Sequence, residues 1–242
     1  MSSFNLTKNS GSKFYCFSPP VMLATFAVEF VGAAWTALRY RLNAVGRLVA
    51  AILVCLGIFQ LAEYLICEAT GLPGLTWARI GYVAITLLPP MGISLAMAIA
   101  GKKSKLGQVA LYAACAGFVA YFLFIEQALT AQTCLGNYVI FEAQKGSMAL
   151  YGIYYYGLLF IGTGLSLYWA NTAKKNARKA LRWLALGYAA FIIPTTTVNL
   201  IDHETIHGIP SIMCGFAVIL ALVLLLGVMP NAGTKRRIAG KK

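Results

Sequence analysis

The chain has 242 residues, of which 60% are hydrophobic and 11% are charged, and its formal net charge at pH 7 is +13. Soluble globular proteins carry about 25% charged residues, so this composition excludes a soluble domain and indicates an integral membrane protein with short loops. Membrane proteins collect lysine and arginine in cytoplasmic loops, where these side chains set topology and meet anionic lipid, so the basic balance does not indicate a nucleic-acid partner.

Seven apolar stretches follow one another, each close to the roughly 20 residues that a helix needs to cross a bilayer. They are Ser18–Leu38, Leu48–Cys67, Trp77–Ala100, Leu106–Gln127, Met148–Ala170, Ala180–Leu200 and Pro210–Met229. The gaps between them are too short to hold another folded domain. The sequence therefore predicts one all-α polytopic bundle of seven transmembrane helices (residues 18–229), with an outer N-terminal segment (residues 1–17) and a basic cytoplasmic tail (residues 230–242).

The positive charges are concentrated in alternate gaps between the predicted spans. Sixteen of the twenty lysines and arginines follow spans 1, 3, 5 and 7, and only Lys8, Lys13, Arg79 and Lys145 fall in the other segments. Cytoplasmic loops of membrane proteins are enriched in these residues. We therefore expect the N-terminus outside and the C-terminus in the cytoplasm, in the cell (plasma or inner) membrane. The alternation also requires an odd number of spans.

Prolines mark three of the spans. Span 1 opens with Pro19-Pro20, which is typical of the first turn of a helix. Span 3 contains Pro89-Pro90 in its middle, and we expect a kink there because proline removes a backbone donor and clashes with the preceding turn. Span 6 contains Pro194, followed by three threonines whose hydroxyls can bond carbonyls near a kink.

Three glutamates lie within spans or at their ends, namely Glu29, Glu63 and Glu126. An ionisable group in lipid is costly, so it usually faces the bundle interior and has a partner. Glu29 is the deepest, and we expect it to be protonated or paired with a polar group such as Asn199. Glu126 is also predicted to be buried.

Two sets of polar side chains share a helix face near the outer surface. Gln60, Glu63 and Cys67 are spaced i, i+3 and i+7 in span 2. They form either a cluster that binds a ligand, an ion or a proton, or a hydrogen-bonded clamp between helices. Tyr151 and Tyr155 open span 5 on one face, where they either line a pocket or belong to the aromatic belt of the membrane interface.

Three cysteines, Cys16, Cys67 and Cys134, fall at the outer boundary, and Cys214 lies about one turn inside span 7 from the same face. Disulfides form on the non-cytoplasmic side. Cys67 with Cys134 is a reasonable pair, but Cys16 can replace either one, and sequence alone does not choose.

The segment before span 7 contains the H-E-x-x-H string of zinc proteases, in which two histidines bind zinc and the glutamate activates water. Here the histidines are His203 and His207, and Glu204 or Glu63 would be the acid/base. A glycine and a proline follow at once, which disfavours the helix that this chemistry needs. Span 7 has no lysine for a retinal Schiff base, and no span contains a histidine, which excludes a bis-His haem inside the bundle.

Four strings carry a family resemblance: Cys16-Phe17-Ser18, Gln60-x-x-Glu63, Pro89-Pro90, and the segment 211–217 with Cys214. With these strings the chain resembles a group of small seven-helix prokaryotic membrane proteins. Those begin with Cys-Phe-Ser and have Gln-x-x-Glu in the second helix and a cysteine near the start of the last. The resemblance implies the same fold and brings no activity with it. This chain departs from the group in the fifteen residues before Cys16 and in its H-E-x-x-H string.

These features predict a sensor, receptor-like or accessory bundle with a polar pocket open to the outer side. The pocket would be built from Gln60, Glu63, Tyr151, Tyr155 and the loop Asp202–His207. Because the cytoplasmic loops are short, signalling would need a membrane or cytoplasmic partner protein in addition to the lipid bilayer. The first alternative is a metal-dependent enzyme that uses His203 and His207 with Glu204 or Glu63. The second is a small transporter, for which the kinked spans 3 and 6 and the buried Glu29 are the arguments. Whether the protein is an enzyme stays open.

Overall fold

The computed structural model describes residues 19–69, 71–129, 131–134, 139–142, 145–201 and 216–235. Its helices are α1 (Pro19–Arg39), α2 (Ala44–Cys67), α3 (Gly74–Thr86), α4 (Leu88–Ala100), α5 (Lys105–Phe124), α6 (Lys145–Thr172), α7 (Lys175–Ile201), α8 (Ala217–Leu222) and α9 (Met229–Ala232). A π-helical segment, Val223–Val228, joins α8 to α9. The predicted all-α class is confirmed.

Five membrane-length helices stand out in the described part of the chain. They are Pro20–Arg39, Ala44–Cys67, Gly74–Ala100, Lys105–Phe124 and Met148–Thr172, judged by length and composition. The third of these combines α3 and α4. The remaining two predicted spans correspond to α7 and to the shorter apolar segment Ala217–Ala232.

Side-chain caps explain where two of these helices begin. Asn43 accepts a hydrogen bond from the backbone amide of Gly46 at 3.0 Å, and Ser104 accepts one from Gly107 at 3.2 Å. Each cap satisfies a backbone donor that has no partner within the helix. As a result, α2 begins at Ala44, a full turn before the predicted start of the span.

The helices differ strongly in how deeply they are packed. α2 contacts α1, α3 and α4, while α6 contacts α4 and α7, and α7 packs against the segment from α8 to α9. In the apolar window of α3 and α4, 78% of residues are buried inside the protein, against 11% in α5. The core therefore lies around α2, α3 and α4, and α5 lies at the periphery with most of its apolar surface facing outward.

The loop after α1 is tied to the chain that follows α9. The amide of Arg41 donates to the carbonyl of Thr234 at 2.7 Å, and the Asn43 side chain donates to the Thr234 hydroxyl at 3.2 Å. Tyr40 and Lys235 form an antiparallel β-bridge beside these bonds. The first basic loop and the start of the basic tail therefore lie at the same end of the bundle.

Two further contacts bring the other basic segments to that end. Arg47 and Gln108 line one groove, so the start of α5 lies beside the start of α2. A β carbon on Gly227 would fall 2.5 Å from the indole of Trp183, and α9 also packs on α7, so the first turns of α7 lie at this end as well. We call this the basic end; it comprises Arg39–Arg47, Lys102–Lys105, Lys174–Arg182 and Thr234–Lys235, and these segments contain no acidic residue.

The region between α5 and α6 differs from the prediction. α5 ends at Phe124 because Ile125 adopts an extended conformation, and a 3-10 turn, Glu126–Ala128, follows. The predicted burial of Glu126 is therefore wrong, since this residue lies beyond the helix and is exposed. After the turn, strands β1 (Ala131–Cys134) and β2 (Val139–Glu142) pair as an antiparallel hairpin, with Ala131 opposite Glu142.

Candidate functional site

Three polar side chains from two neighbouring helices point into the bundle. Gln60 and Glu63 on α2 are 2% and 1% exposed, and Glu29 on α1 is fully buried. Their positions follow from the sequence, because residues three apart on α2 share the face that packs against α1 and α3. The structure therefore makes the predicted face of span 2 part of the bundle interior.

Glu29 lies where α1 packs closely on α2. Gly57 makes this approach feasible, because a β carbon there would stand 2.5 Å from the ring of Phe30 and 3.6 Å from the β carbon of Glu29. Among the described residues neither carboxylate oxygen of Glu29 has a hydrogen-bond partner. The carboxylate of Glu63 is near enough to interact with it electrostatically. The side chain of Asn199, the partner suggested by the sequence, lies outside the described side chains.

A second polar centre forms where α3 breaks into α4. Pro90 has no amide hydrogen, so the carbonyl of Thr86, four residues earlier, loses its helical donor. The helix ends at Thr86 and restarts at Leu88, so it is interrupted where the sequence predicts a kink. Two other helices replace the missing donor: the Tyr154 hydroxyl on α6 donates to the Thr86 carbonyl at 2.9 Å, and the Cys115 thiol on α5 donates to it at 3.6 Å.

The hydroxyl of Thr86 is bonded as well. It donates to the carbonyl of Tyr82 at 2.6 Å and lies 3.0 Å from the hydroxyl of Tyr151. Because a threonine hydroxyl has one hydrogen, the Tyr151 hydroxyl is the donor in the second bond. We call Thr86 with Tyr82, Cys115, Tyr151 and Tyr154 the Thr86 node. It joins helices α3, α5 and α6.

Aromatic rings enclose this node. The ring of Tyr151 lies 5.0 Å from Phe122, 5.4 Å from Phe118, 5.8 Å from Tyr155 and 5.9 Å from Tyr82, measured between ring centres. Tyr151 and Tyr155 are each only 6% exposed. These two tyrosines are therefore core residues, and the alternative that they belong to an aromatic belt is wrong.

Tyr82 connects the two polar centres. Its side chain is fully buried and interacts electrostatically with both Tyr151 and Glu63. Polar side chains within electrostatic range of one another thus lead from Glu29 through Glu63 and Tyr82 to Tyr151. We call these four residues the polar path. It crosses helices α1, α2, α3 and α6 inside the bundle.

Three residues of this arrangement were not predicted from the sequence, namely Tyr82, Thr86 and Cys115. A signal for Thr86 was present, because it stands four residues before Pro90 and its carbonyl had to be freed by any helix break there. Tyr82 and Cys115 had no comparable signal. Their roles depend on which way α3 and α5 are rotated against α6.

The cysteines fall into two states. Cys55 and Cys115 are free and buried, whereas Cys67 is disulfide-bonded. The predicted partners Cys16 and Cys134, together with Cys214, lie outside the described side chains. The strand that ends at Cys134 packs against α2, which favours Cys134. The pairing itself stays a prediction.

The remaining candidates lie where the structure is not described. Asp202, His203, Glu204 and His207 all fall within residues 202–215, outside the described ranges. Within those ranges, no group of three or more His, Cys, Asp or Glu side chains is placed to hold a metal ion. The zinc site and the outer mouth of the predicted pocket therefore stay predictions.

We compared the chain with known proteins. No protein-family model, no curated protein and no solved structure matches it. A function for this chain must therefore be argued from its own residues.

Proposed function

We propose that this protein is a multi-pass membrane sensor that binds a proton or a small cation at Glu29, beside Glu63. The observation that carries the proposal is the burial of Glu29 without a hydrogen-bond partner among the described residues. An ionised carboxylate removed from water costs several kcal/mol unless it is neutralised or paired. Intramembrane ionisable groups are retained mainly where they serve a function.

The surroundings of Glu29 favour a positively charged guest. α1 packs on α2 and on the segment from α8 to Val228, and these elements supply few titratable groups. Beyond the first turn of α2 the titratable groups of that helix, its disulfide-bonded cysteine aside, are Cys55, Glu63 and Tyr64, and α8 and Val223–Val228 contain none. The group that interacts electrostatically with Glu29 is another carboxylate, that of Glu63. Two neighbouring carboxylates in an apolar interior are stabilised by a proton or a cation between them.

The polar path connects this site to the break between α3 and α4. A change of charge at Glu29 and Glu63 alters the electrostatic field at Tyr82, whose backbone carbonyl is bonded to the Thr86 hydroxyl. Thr86 stands at the break between α3 and α4, where the helical hydrogen bonds are interrupted. Broken helices are the places where a transmembrane segment bends most easily. Binding at Glu29 would therefore shift the angle between α3 and α4.

The proposed topology has seven spans, with the N-terminus outside and the C-terminus in the cytoplasm of the cell membrane. The gathering of all four basic segments at one end of the bundle supports this arrangement, because the cytoplasmic side is the one enriched in lysine and arginine. The segments at that end are short. A sensor of this form therefore passes its signal to a partner protein in the membrane or the cytoplasm.

The test compares Glu29→Gln with Glu68→Gln, which removes an exposed carboxylate at the end of α2. Infrared spectroscopy of the protein in lipid detects a protonated carboxyl group directly. We expect a carboxylic acid band that is absent in Glu29→Gln and retained in Glu68→Gln. If the guest is a cation, thermal unfolding in Na⁺, K⁺ or Ca²⁺ chloride at constant ionic strength would instead show stabilisation that only Glu29→Gln loses.

The proposal fails if the wild-type protein shows neither signal. It also fails if both signals are unchanged in Glu29→Gln, since the proton or cation would then reside elsewhere. A loss in Glu68→Gln equal to that in Glu29→Gln would assign the effect to surface charge rather than to the buried site.

A second candidate function, a small transporter, is favoured by one observation. The helix break at Leu87 lies in the middle of the membrane-length segment Gly74–Ala100, next to the Thr86 node. Broken helices near the bilayer midplane form the binding sites of many secondary transporters. Proteoliposomes loaded with a pH-sensitive dye distinguish the two functions. A transporter shows ion flux that Glu29→Gln abolishes, whereas a sensor shows none.

A further inference from the structure

A groove opens at the basic end between the starts of α2 and α5 and the middle of α4. Its volume is about 510 Å³, and its lining includes Arg47, Leu48, Ser94, Gln108, Val109 and Tyr112. This lies within the range of about 300–1,000 Å³ that is typical of small-molecule sites. It shares no residue with the polar path.

The groove has a polar mouth and an apolar wall. Arg47 and Gln108 are exposed in the first turn of α2 and of α5, at the level of the basic loops. Ser94 and Tyr112 form a hydrogen bond of 3.2 Å across the groove. Val109 is 66% exposed and continues the outward apolar surface of α5. A ligand that fits this lining has one charged or polar end and an apolar body.

Charge at the mouth selects an anion. Neither α2 nor α5 has an acidic residue in its first turn, although a helix N-terminus carries a partial positive charge that acidic side chains usually balance. Instead, Arg47 and Lys105 add positive charge at these two helix starts, and the basic end contains no acidic residue at all. No acidic side chain at this end of the protein balances that positive charge. An anion beside Arg47 would therefore be attracted to it.

We propose that this groove binds an anionic phospholipid. Its phosphate lies against Arg47 and Gln108, and an acyl chain follows Leu48 and Val109 onto the outward face of α5. Basic pockets between transmembrane helices bind lipid headgroups on the cytoplasmic side of membranes. A lipid is favoured over a soluble phosphate because the wall is apolar and α5 has the least buried window of the five membrane-length helices in the described part of the chain.

The first experiment titrates the detergent-solubilised protein with phosphatidylglycerol and follows the thermal unfolding temperature. We expect phosphatidylglycerol to raise this temperature, and phosphatidylcholine to raise it much less. Arg47→Gln should weaken the apparent affinity for phosphatidylglycerol about tenfold, because a charge-assisted hydrogen bond is lost. Arg178→Gln, which removes an exposed charge at the same end but outside the groove, should leave the affinity unchanged.

A second variant tests the apolar wall independently of charge and of any folding defect in Arg47→Gln. Val109→Trp places a large ring in the groove from its exposed side, and Leu123→Trp adds the same ring to an exposed position at the far end of α5. We expect only Val109→Trp to weaken lipid binding. The proposal is overturned if both Arg47→Gln and Val109→Trp bind phosphatidylglycerol as tightly as their controls. It is also overturned if inorganic phosphate stabilises the wild-type protein equally well, since the site would then be one for a soluble anion.

Discussion

The Thr86 node and Glu29 are two buried polar regions of the same bundle, and they differ in how their hydrogen-bonding groups are satisfied. The Thr86 carbonyl accepts two hydrogen bonds and the Thr86 hydroxyl takes part in two more. Neither carboxylate oxygen of Glu29 has a hydrogen-bond partner among the described residues. A satisfied buried group stabilises the fold, whereas an unsatisfied one destabilises it and is retained for another reason. The hydrogen bonds of the node are those of a structural element, whereas the unsatisfied carboxylate supports the binding role proposed for Glu29.

The largest expected effect comes from breaking the node. Tyr154→Phe removes the hydroxyl that donates to the Thr86 carbonyl and leaves that carbonyl with only the weak thiol donor of Cys115. We expect the free energy of unfolding to fall by about 1–3 kcal/mol, the usual cost of leaving a buried polar group without its partner. Reversible unfolding in mixed micelles measures this change. Tyr156→Phe on the same helix is the matched control and should change it by much less.

An effect of opposite sign and intermediate size is expected at Glu29. Glu29→Met keeps a similar volume and removes the unsatisfied carboxylate. We expect the free energy of unfolding to rise by about 1 kcal/mol, because a polar group is no longer buried without a hydrogen bond. The same micelle assay measures the change. In buffer without added metal cations, a clear decrease instead would mean that Glu29 stabilises the fold as the node does, and the two regions would then not differ.

The smallest expected effect comes from removing the weaker of the two donors that bond the Thr86 carbonyl. Cys115→Ala removes the thiol donor, and Cys55→Ala deletes the same atoms from another buried, free cysteine. Because S–H hydrogen bonds are weak, we expect the two variants to differ by at most about 0.5 kcal/mol in the free energy of unfolding. A much larger loss in Cys115→Ala would show that the thiol, and not Tyr154, is the main partner of Thr86.

Two proline sites that are similar in sequence show that a proline inside an apolar span does not by itself determine whether the helix is interrupted. Pro89-Pro90 and Pro194 each interrupt an apolar span, and both predict a kink. Only the first separates two helices, because α7 runs from Lys175 to Ile201 with Pro194 inside it. Beyond that proline, the hydroxyls of Thr196 and Thr197 donate to the carbonyls of Ile192 and Ile193, at 2.9 and 2.8 Å.

Hydropathy by itself determined the helical class and the approximate positions of the five membrane-length helices, and charge predicted which end of the bundle is cytoplasmic. These are local properties, because a helix that crosses a membrane must be apolar over about 20 residues and its cytoplasmic flank collects lysine and arginine. The proline pair at positions 89 and 90 also fixed the break between α3 and α4, since a missing amide hydrogen acts within one turn. The position of Glu29 near the middle of span 1 was also evident, since it can be read directly along the apolar stretch.

The tertiary structure decided which side chains meet. It placed Cys115 and Tyr154 on the Thr86 carbonyl, brought Glu63 beside Glu29 and buried Tyr151 and Tyr155 in the core. It also showed that α5 ends at Phe124, before the apolar stretch does, so that Glu126 lies outside the helix that was predicted to contain it. The physical reason is that lipid is as apolar as the side chains around it, so hydropathy does not record how each helix is rotated against its neighbours. That rotation comes from close packing and interhelical hydrogen bonds, which form only when the helices are together.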